Sequence, residues 1–312
     1  MVKVHLDTDF GGDLDDFCAL AMLLRWSPAI DLTGITVVGD IQGRRTGMVR
    51  YVLALEGRSD IPVAAGAETS GGYYRYELGL PPEERYWPHP ITPSPNSLDQ
   101  ALELLKASID AGAIIIGIGP LTNLYLLDLR YPGILRRAHL ALMGGYLYPP
   151  RAGYPAWNNR DDFNIQADVR SAKHVLQQAS PTLTPLSVTV ETALRWAHLD
   201  RLRRAGGALG QLIAAQAEQF ARDEEMAAKF GATCELVPED IINFHHDPLA
   251  CAIALGWRER IEIEEIPLAV TEEDGWLTAH VSPNGNVMRL ATKVDGAHFS
   301  DFWLDVITQG RK

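Results

Sequence analysis

Val2-Lys3-Val4-His5-Leu6-Asp7-Thr8-Asp9-Phe10-Gly11-Gly12-Asp13-Leu14-Asp15-Asp16 runs from a strand through a glycine turn into a helix. Val2, Val4 and Leu6 alternate with polar residues, the two-residue period of a strand. From Asp15 to Trp26 the chain reads as a helix, stopped by Ser27-Pro28. Five carboxylates fall between Asp7 and Asp16, and no Lys or Arg lies between Lys3 and Arg25. By strand period Asp7 and Asp9 share a face, while Asp15 and Asp16 open the helix, where its dipole favours each by ~0.3–1 kcal/mol. Two carboxylates ~5 Å apart at an effective dielectric of ~20 repel by roughly 3 kcal/mol, so a converging set needs a proton or a cation. An all-oxygen set without Cys or clustered His favours a hard cation, Ca²⁺ or Mg²⁺. The competing reading is a solvated, Asp-capped turn whose carboxylates point apart. The position, at the carboxyl end of a first strand where open α/β sheets bind ligands, weighs against it.

Outward from this turn, short apolar runs alternate with amphipathic stretches. Ile35 to Val38, Ala113 to Ile118, Leu140 to Met143 and Leu186 to Val190 read as strands. Met48 to Leu55 and Leu121 to Arg130 read as helices, the latter ending before Pro132. Gln211 to Phe230 reads as a long helix closed by Gly231, and Asp247-Pro248 as the start of another reaching about Leu255. Leu277 to Val281 and Val287 to Val294, joined around Pro283-Asn284-Gly285, read as a hairpin. The segment 69–96, rich in Pro, Tyr and Gly, reads as a long mobile loop. Strand–helix alternation predicts an α/β fold, a single open and mainly parallel sheet with flanking helices. No repeat or linker breaks residues 1–312, which are read as one domain.

Composition narrows function. The 312 residues carry 46% apolar and 22% charged side chains, with 28 Lys plus Arg against 40 Asp plus Glu and a net charge of −12. Such a balance argues against gripping a nucleic-acid backbone or an anionic membrane. Cys18, Cys234 and Cys251 are too few and scattered for a disulfide framework or a thiolate metal site. With no visible signal peptide and no apolar run near ~20 residues, a cytoplasmic location is expected.

The aspartate-rich turn resembles the signature of the nucleoside hydrolase family, Asp-x-Asp-x-Gly followed by an Asp pair at a helix start, with two additional residues before that pair. Gly119-Pro120-Leu121-Thr122-Asn123, Met143-Gly144-Gly145 before Asp162-Phe163-Asn164-Ile165 and Asp168, and His246-Asp247-Pro248 follow in the order that family requires. Pro62-Val63-Ala64-Ala65-Gly66-Ala67 resembles a further family segment. The resemblance spans nearly the whole chain. It implies a Rossmann-related fold and calcium-dependent hydrolysis of ribonucleosides to ribose and free base, in nucleoside salvage, by a homodimer or homotetramer.

Carried over residue by residue, Asp9 is a metal ligand and the base that accepts the proton of water. Asp16, Asp247 and the main-chain carbonyl of Ile118 complete the metal set. Asp15, Asn164 and Asp247 bind ribose hydroxyls, and Asp162 stands where many relatives have a glutamate for the 5′-hydroxyl. His246 protonates the departing base, a task suited to imidazole near neutral pH; His245 alongside competes for it. Asp13 has no role assigned. The family asparagine eight residues before Asn164 is replaced by Ala156, leaving Asn158 or Asn159 to serve after a register shift. Asp40 stands near the sugar where the family commonly has asparagine. Tyr73, Tyr74 and Tyr76 are candidates to stack on a planar base, or are exposed loop aromatics.

Two other readings stay open. Aspartate-nucleophile phosphohydrolases also place Asp-x-Asp after a first strand, but usually with Thr or Val where Gly11 stands. A binding protein retaining the nucleoside and metal site without turnover also fits, and the Asp40 departure favours it. Base preference is not legible.

Overall fold

The computed structural model describes residues 1–26, 28–68 and 73–309. Its strands are β1 (Lys3–Thr8), β2 (Asp31–Val37), β3 (Val63–Ala65), β4 (Ile114–Gly117), β5 (His139–Met143), β6 (Thr182–Thr184), β7 (Ala193–Arg195), β8 (Ile241–Phe244), β9 (Ile261–Glu273), β10 (Trp276–Val281) and β11 (Asn286–Val294). Nine form one open sheet in the order β10-β9-β11-β6-β5-β4-β1-β2-β3, while β7 and β8 pair antiparallel as a separate ribbon. From β3 across to β11 every pairing is parallel; β9 runs antiparallel to both β11 and β10. The expected open, mainly parallel α/β sheet is what the chain forms.

Period-two alternation along β1 splits the core. Val4 and Leu6 enter an apolar cluster with helices Asp15–Arg25, Arg44–Leu55, His246–Ala254 and Gly296–Gln309. A second cluster joins helices Leu98–Asp110, Thr122–Arg130 and Val169–Gln178. On that second side His5 bridges Ser108 (2.8 Å) and Thr36 (3.0 Å), so the odd-numbered residues of β1 make a polar seam inside the fold. Helix Asp15–Arg25 is buried from Asp15 through Leu24. It is a core element, which explains its uninterrupted apolar run after two aspartates.

The sheet order reverses at β1: chain order runs outward through β2 and β3 on one side and through β4, β5 and β6 on the other. Loops after β1 and β4 therefore diverge and leave a crevice at the carboxyl ends of the strands. Asp9 follows β1, and Ile118 follows β4.

Several local expectations are corrected. Residues 186–189 form a short helix, and the strand of that region is the three-residue β6, which ends immediately before Pro185. The segments read as a hairpin, β10 and β11, do not pair; β9 lies between them. The actual tight turn is Asp274-Gly275 between β9 and β10, with φ of 52° and 78°. Asp-Gly with two positive φ values is the favoured two-residue hairpin chemistry. The long helix runs Gly207–Glu224 and ends where Glu225 turns left-handed (φ 50°), before a separate turn at Ala227–Gly231. Of the segment 69–96, residues 69–72 lie outside the described residues; the rest includes helix Glu83–Tyr86 and buries Leu78, Trp87 and Ile91 in the core. No helix among the described residues is long and apolar enough to cross a membrane.

Candidate active site and metal centre

Glycine geometry shapes the turn after β1. Gly11 has φ 97°, and a Cβ there would meet Met48 Sδ at 2.9 Å, so a side chain is excluded twice over. Thr8 holds the turn: its hydroxyl donates to Asp16 and accepts from Phe10 N at 3.1 Å. Asp13, which carried no role in the sequence, accepts from Leu14 N (2.5 Å), Asp15 N (3.3 Å) and Asn243 Nδ2 (2.5 Å). It caps the buried helix, satisfying donors that would otherwise be orphaned, and ties that helix to β8.

Asp15 and Asp16 meet Asp247, from the first turn of helix His246–Ala254, and Asp247 N donates to Asp15 Oδ2 at 3.3 Å. One carboxylate oxygen from each of the three lies within 4.8 Å of the others. All three side chains are buried. Burial first, then mutual repulsion, pushes each well above the usual carboxylate range. No Lys or Arg forms a salt bridge to any of them among the described residues. Three oxygen donors of this charge fit a hard divalent cation, which would relieve the repulsion.

Asp9 stands beside the trio and is only half-buried. Loss of water raises it to about 6; the Arg45 guanidinium pulls it down and Asp13 pushes it up. Two features fix it. A Cβ on Gly119 would fall 2.8 Å from Asp9 Oδ1, so glycine after β4 leaves the carboxylate its space. Arg45, buried without a carboxylate partner, donates to the main-chain carbonyls of Asp9, Phe10 (2.9 Å), Gly39 (3.0 Å), Leu78 (2.6 Å) and Gly79 (3.0 Å). It clamps the acidic turn to the wall formed by residues 78–79. Sequence reading passed over it, because an arginine opening an amphipathic helix looks like a solvated residue.

A cavity of about 430 Å³ opens over these groups, and Asp9, Asp15, Asp16, Ile118, Asn164, His246 and Asp247 line it. Asn164 Nδ2 donates to the Ile118 carbonyl at 3.1 Å, bringing two sequence-predicted residues together. Asp7 lies behind the wall: fully buried, it accepts from Thr36 (2.5 Å) and Asn123 (2.8 Å), its other oxygen has no partner among the described residues, and burial lifts it to about 7.

Three expected sugar ligands are placed elsewhere, and none lines the cavity. Asp40 accepts from Arg45 N (2.8 Å), Thr46 N (2.9 Å) and Thr46 Oγ1 (2.5 Å), so it serves the entrance of helix Arg44–Leu55. Asn158 is exposed and caps the turn Asn159–Asp161 through Arg160 N at 2.9 Å. Asp162 is turned onto Gly145 N (2.7 Å) and Tyr146 N (3.3 Å), with its other oxygen unpartnered among the described residues and burial raising it to about 6. An aspartate's short arm keeps it at those amides. The tyrosines also miss the cavity: Tyr76 stacks on Phe163 (5.7 Å between centroids) and Tyr73 lies against Arg170. Phe163 itself, Trp157 and Phe220 supply the aromatic lining.

His246 lines the cavity with Nδ1 2.7 Å from Thr189 Oγ1 and its ring 6.0 Å from that of Trp157. Burial pushes it down to about 3, so the ring is neutral at pH 7. His245 is fully buried, faces Trp303 at 4.3 Å and has no hydrogen-bond partner at either ring nitrogen among the described residues.

Comparison with known proteins accords with this geometry. The profile of the inosine-uridine preferring nucleoside hydrolase family matches residues 4–301. The non-specific ribonucleoside hydrolase RihC of Salmonella schwarzengrund is 29% identical over 225 residues, 68% of this chain and 71% of that protein. The pyrimidine-specific ribonucleoside hydrolase RihA of Citrobacter koseri is 29% identical over 230 residues, 68% and 69% of the two chains. Among solved structures, the plant nucleoside hydrolase PpNRh1 superimposes with a TM-score of 0.77 at 19% identity, covering 98% of this chain and 99% of that one. The purine-preferring ribonucleoside hydrolase of Gardnerella vaginalis gives 0.76 at 22%, covering 98% of each. With its acidic turn, ordered motifs and open sheet accounted for over nearly its full length, the chain belongs to the inosine-uridine preferring nucleoside hydrolase family.

Proposed function

We propose that the protein hydrolyses the N-glycosidic bond of ribonucleosides to ribose and free base, with calcium at the acidic centre. The observation that carries this reading is the buried trio Asp15, Asp16 and Asp247, set beside Asp9 in the crevice where the strand order reverses. Asp16, Asp247, Asp9 and the Ile118 carbonyl would hold the ion. When bound, such an ion acidifies water and offsets the charge of its ligands. Asp15, Asn164 and Asp247 take the ribose hydroxyls, since Asp40, Asn158 and Asp162 are committed to neighbouring donors.

Asp9 accepts the proton of the attacking water. It suits the task because it is the least buried of the four aspartates, and Arg45 and Gly119 hold it without hydrogen-bonding its carboxylate. His246 acts at the leaving base. The 2.7 Å contact between Nδ1 and Thr189 Oγ1 holds the ring at the cavity wall and leaves Nε2 as the nitrogen that meets the departing base.

A reducing-sugar assay over a nucleoside panel, with and without chelator, tests the reading. Ribose release that chelator abolishes and calcium restores is expected. Tight nucleoside binding with no ribose release would overturn it in favour of a binding protein.

A further inference from the structure

Asn243, at the end of β8, lines the cavity and is only 2% exposed. Two neighbours fix its amide. Phe244 N donates to Oδ1 at 2.9 Å, and Nδ2 donates to Asp13 Oδ1 at 2.5 Å, so the nitrogen is turned to Asp13 and the oxygen away from it. One N–H on Nδ2 is left over. No acceptor takes it among the described residues, and the open side of this buried residue is the cavity. A buried amide proton is costly to leave without an acceptor, so this one calls for a water or a ligand atom. The other donors of the lining nearby are spent: Asn164 Nδ2 serves the Ile118 carbonyl, and Arg45 serves five main-chain carbonyls.

The place of this N–H decides what it meets. Asp13 Oδ1, which holds it, also accepts from Asp15 N at 3.3 Å, and Asp15 takes a ribose hydroxyl in the proposed reaction. His246, at the departing base, follows Asn243 by three residues. The amide thus stands where sugar ends and base begins. The base atom next to that junction is the acceptor flanking the glycosidic nitrogen, N3 in a purine nucleoside and O2 in a pyrimidine nucleoside. Both atoms gain negative charge when the glycosidic bond breaks and its electron pair enters the ring. A fixed donor aimed at developing charge in a water-poor site stabilises the transition state more than the ground state.

Building on the proposed hydrolysis, we infer that Asn243 is a second leaving-group residue, which donates its free N–H to the acceptor flanking the glycosidic nitrogen, with Asp13 as the positioning residue that aligns it. In that step water oxygen bonds to C1′, the C1′–N bond breaks with its electron pair passing into the base, and the proton of water passes to Asp9. The amide proton stays on Asn243 and shares the charge at N3 or O2. The base then takes a proton from His246 or from water.

The test uses the calcium-loaded full chain with inosine, with 3-deazainosine, in which a C–H replaces N3, and with p-nitrophenyl riboside. Asn243→Ala is expected to lower kcat on inosine by ~10²-fold, the scale of one donor at a developing charge. It should cost less than threefold on 3-deazainosine and on p-nitrophenyl riboside, neither of which has the acceptor. Uridine, with O2 in the same place, should lose as much as inosine. Asn243→Ser keeps a donor for Asp13 and repeats the test should the alanine variant misfold. Asp13→Asn, which keeps the accepting oxygen, should retain most of the inosine turnover that Asp13→Ala loses; equal losses would remove Asp13 as the positioning residue. Equal losses on inosine and 3-deazainosine in the Asn243 variants, or none on inosine, would overturn the inference while leaving nucleoside hydrolysis standing. Calorimetry on Asp9→Asn protein reads the same contact without turnover. Inosine should bind about three- to tenfold tighter than 3-deazainosine, and adding Asn243→Ala should remove that preference. No preference, or one that survives in the double variant, sinks the contact, even where absent ribose release has separately overturned hydrolysis.

Discussion

Removing one charge from the buried trio should stabilise the metal-free protein. The oxygens of Asp15, Asp16 and Asp247 lie within 4.8 Å of one another, and at an effective dielectric of ~20 each ionised pair then repels by roughly 3.5 kcal/mol. Burial and this repulsion hold all three above the usual carboxylate range, so proton uptake avoids part of the cost. Asp16→Asn removes one charge and keeps an oxygen to accept from Thr8. A gain of about 1–3 kcal/mol is expected, which at ~2 °C per kcal/mol raises the melting temperature by roughly 2–6 °C. Calcium acts oppositely on the two proteins: at about 100 times its Kd it adds ~2.7 kcal/mol to the parent, and much less to a variant with a damaged site.

Differential scanning fluorimetry in chelator and in excess calcium reads both effects, and pH supplies a third. Asp9 rises from 3.8 to about 6 and Asp7 from 3.8 to about 7 on folding, so the native state binds more protons than the unfolded chain between those values. Stability of the chelated parent is therefore complete below about 3.8 as far as these groups go, and falls as pH rises to about 7. Calcium, which binds the deprotonated form, should flatten or reverse that slope. A chelated Asp16→Asn protein that melts below its parent, with an undiminished calcium response, would refute the reasoning.

Asp9→Asn should fold normally and, in excess calcium, still bind the ion, yet lose at least a thousandfold in kcat; retention of a tenth of parental turnover with calcium bound, a barrier change of only ~1.4 kcal/mol, would remove Asp9 as the base. Gly119→Ala places a Cβ 2.8 Å from Asp9 Oδ1 and should lower kcat tenfold or more with only a small change in melting temperature, read by steady-state kinetics and calorimetry. Arg45→Ala leaves five carbonyls without their shared donor and should cost ~2–4 kcal/mol in denaturant unfolding, where a change under ~0.5 would show that the clamp is dispensable. His246→Ala should slow hydrolysis of ordinary nucleosides by ~10²-fold and spare p-nitrophenyl riboside, whose leaving group departs as a stable anion; equal losses on both would make His246 a positioning residue.

What the sequence disclosed follows from the range of the forces involved. The strand, the turn and the helix of residues 2–26 were readable because period, glycine and helix-start carboxylates are local signals. So was the open parallel sheet. Asp247 entered only through ordered motifs, since nothing local marks an aspartate 231 residues after Asp16 as its neighbour. Asp40 and Asn158 illustrate the reverse failure. The same short polar side chain serves as a cap or as a ligand, and only its partners, Thr46 N or Arg160 N, decide which. The β10–β11 error has a similar origin: two strands and a glycine-containing link look like a hairpin, whereas β9, whose acidic and apolar residues alternate, takes both edges.

Arg45 explains why Asp9 stands apart from the trio although the four aspartates share one turn and one helix end. A carboxylate sunk among Asp15, Asp16 and Asp247 is useful as a ligand, because burial and repulsion make it unwilling to carry charge without a cation. A base requires the opposite: access to water, freedom from strong donors and a fixed position. Arg45 meets those requirements indirectly. By binding the carbonyls of Asp9 and Phe10 it sets the main chain and leaves the Asp9 carboxylate without a salt bridge. Gly119 then leaves space where any other residue would press on Oδ1. The division between a deep acidic trio and one freer aspartate is thus built by a buried arginine and a missing side chain, and in the proposed reaction it lets Asp9, itself one of the ion's ligands, also accept the proton of water.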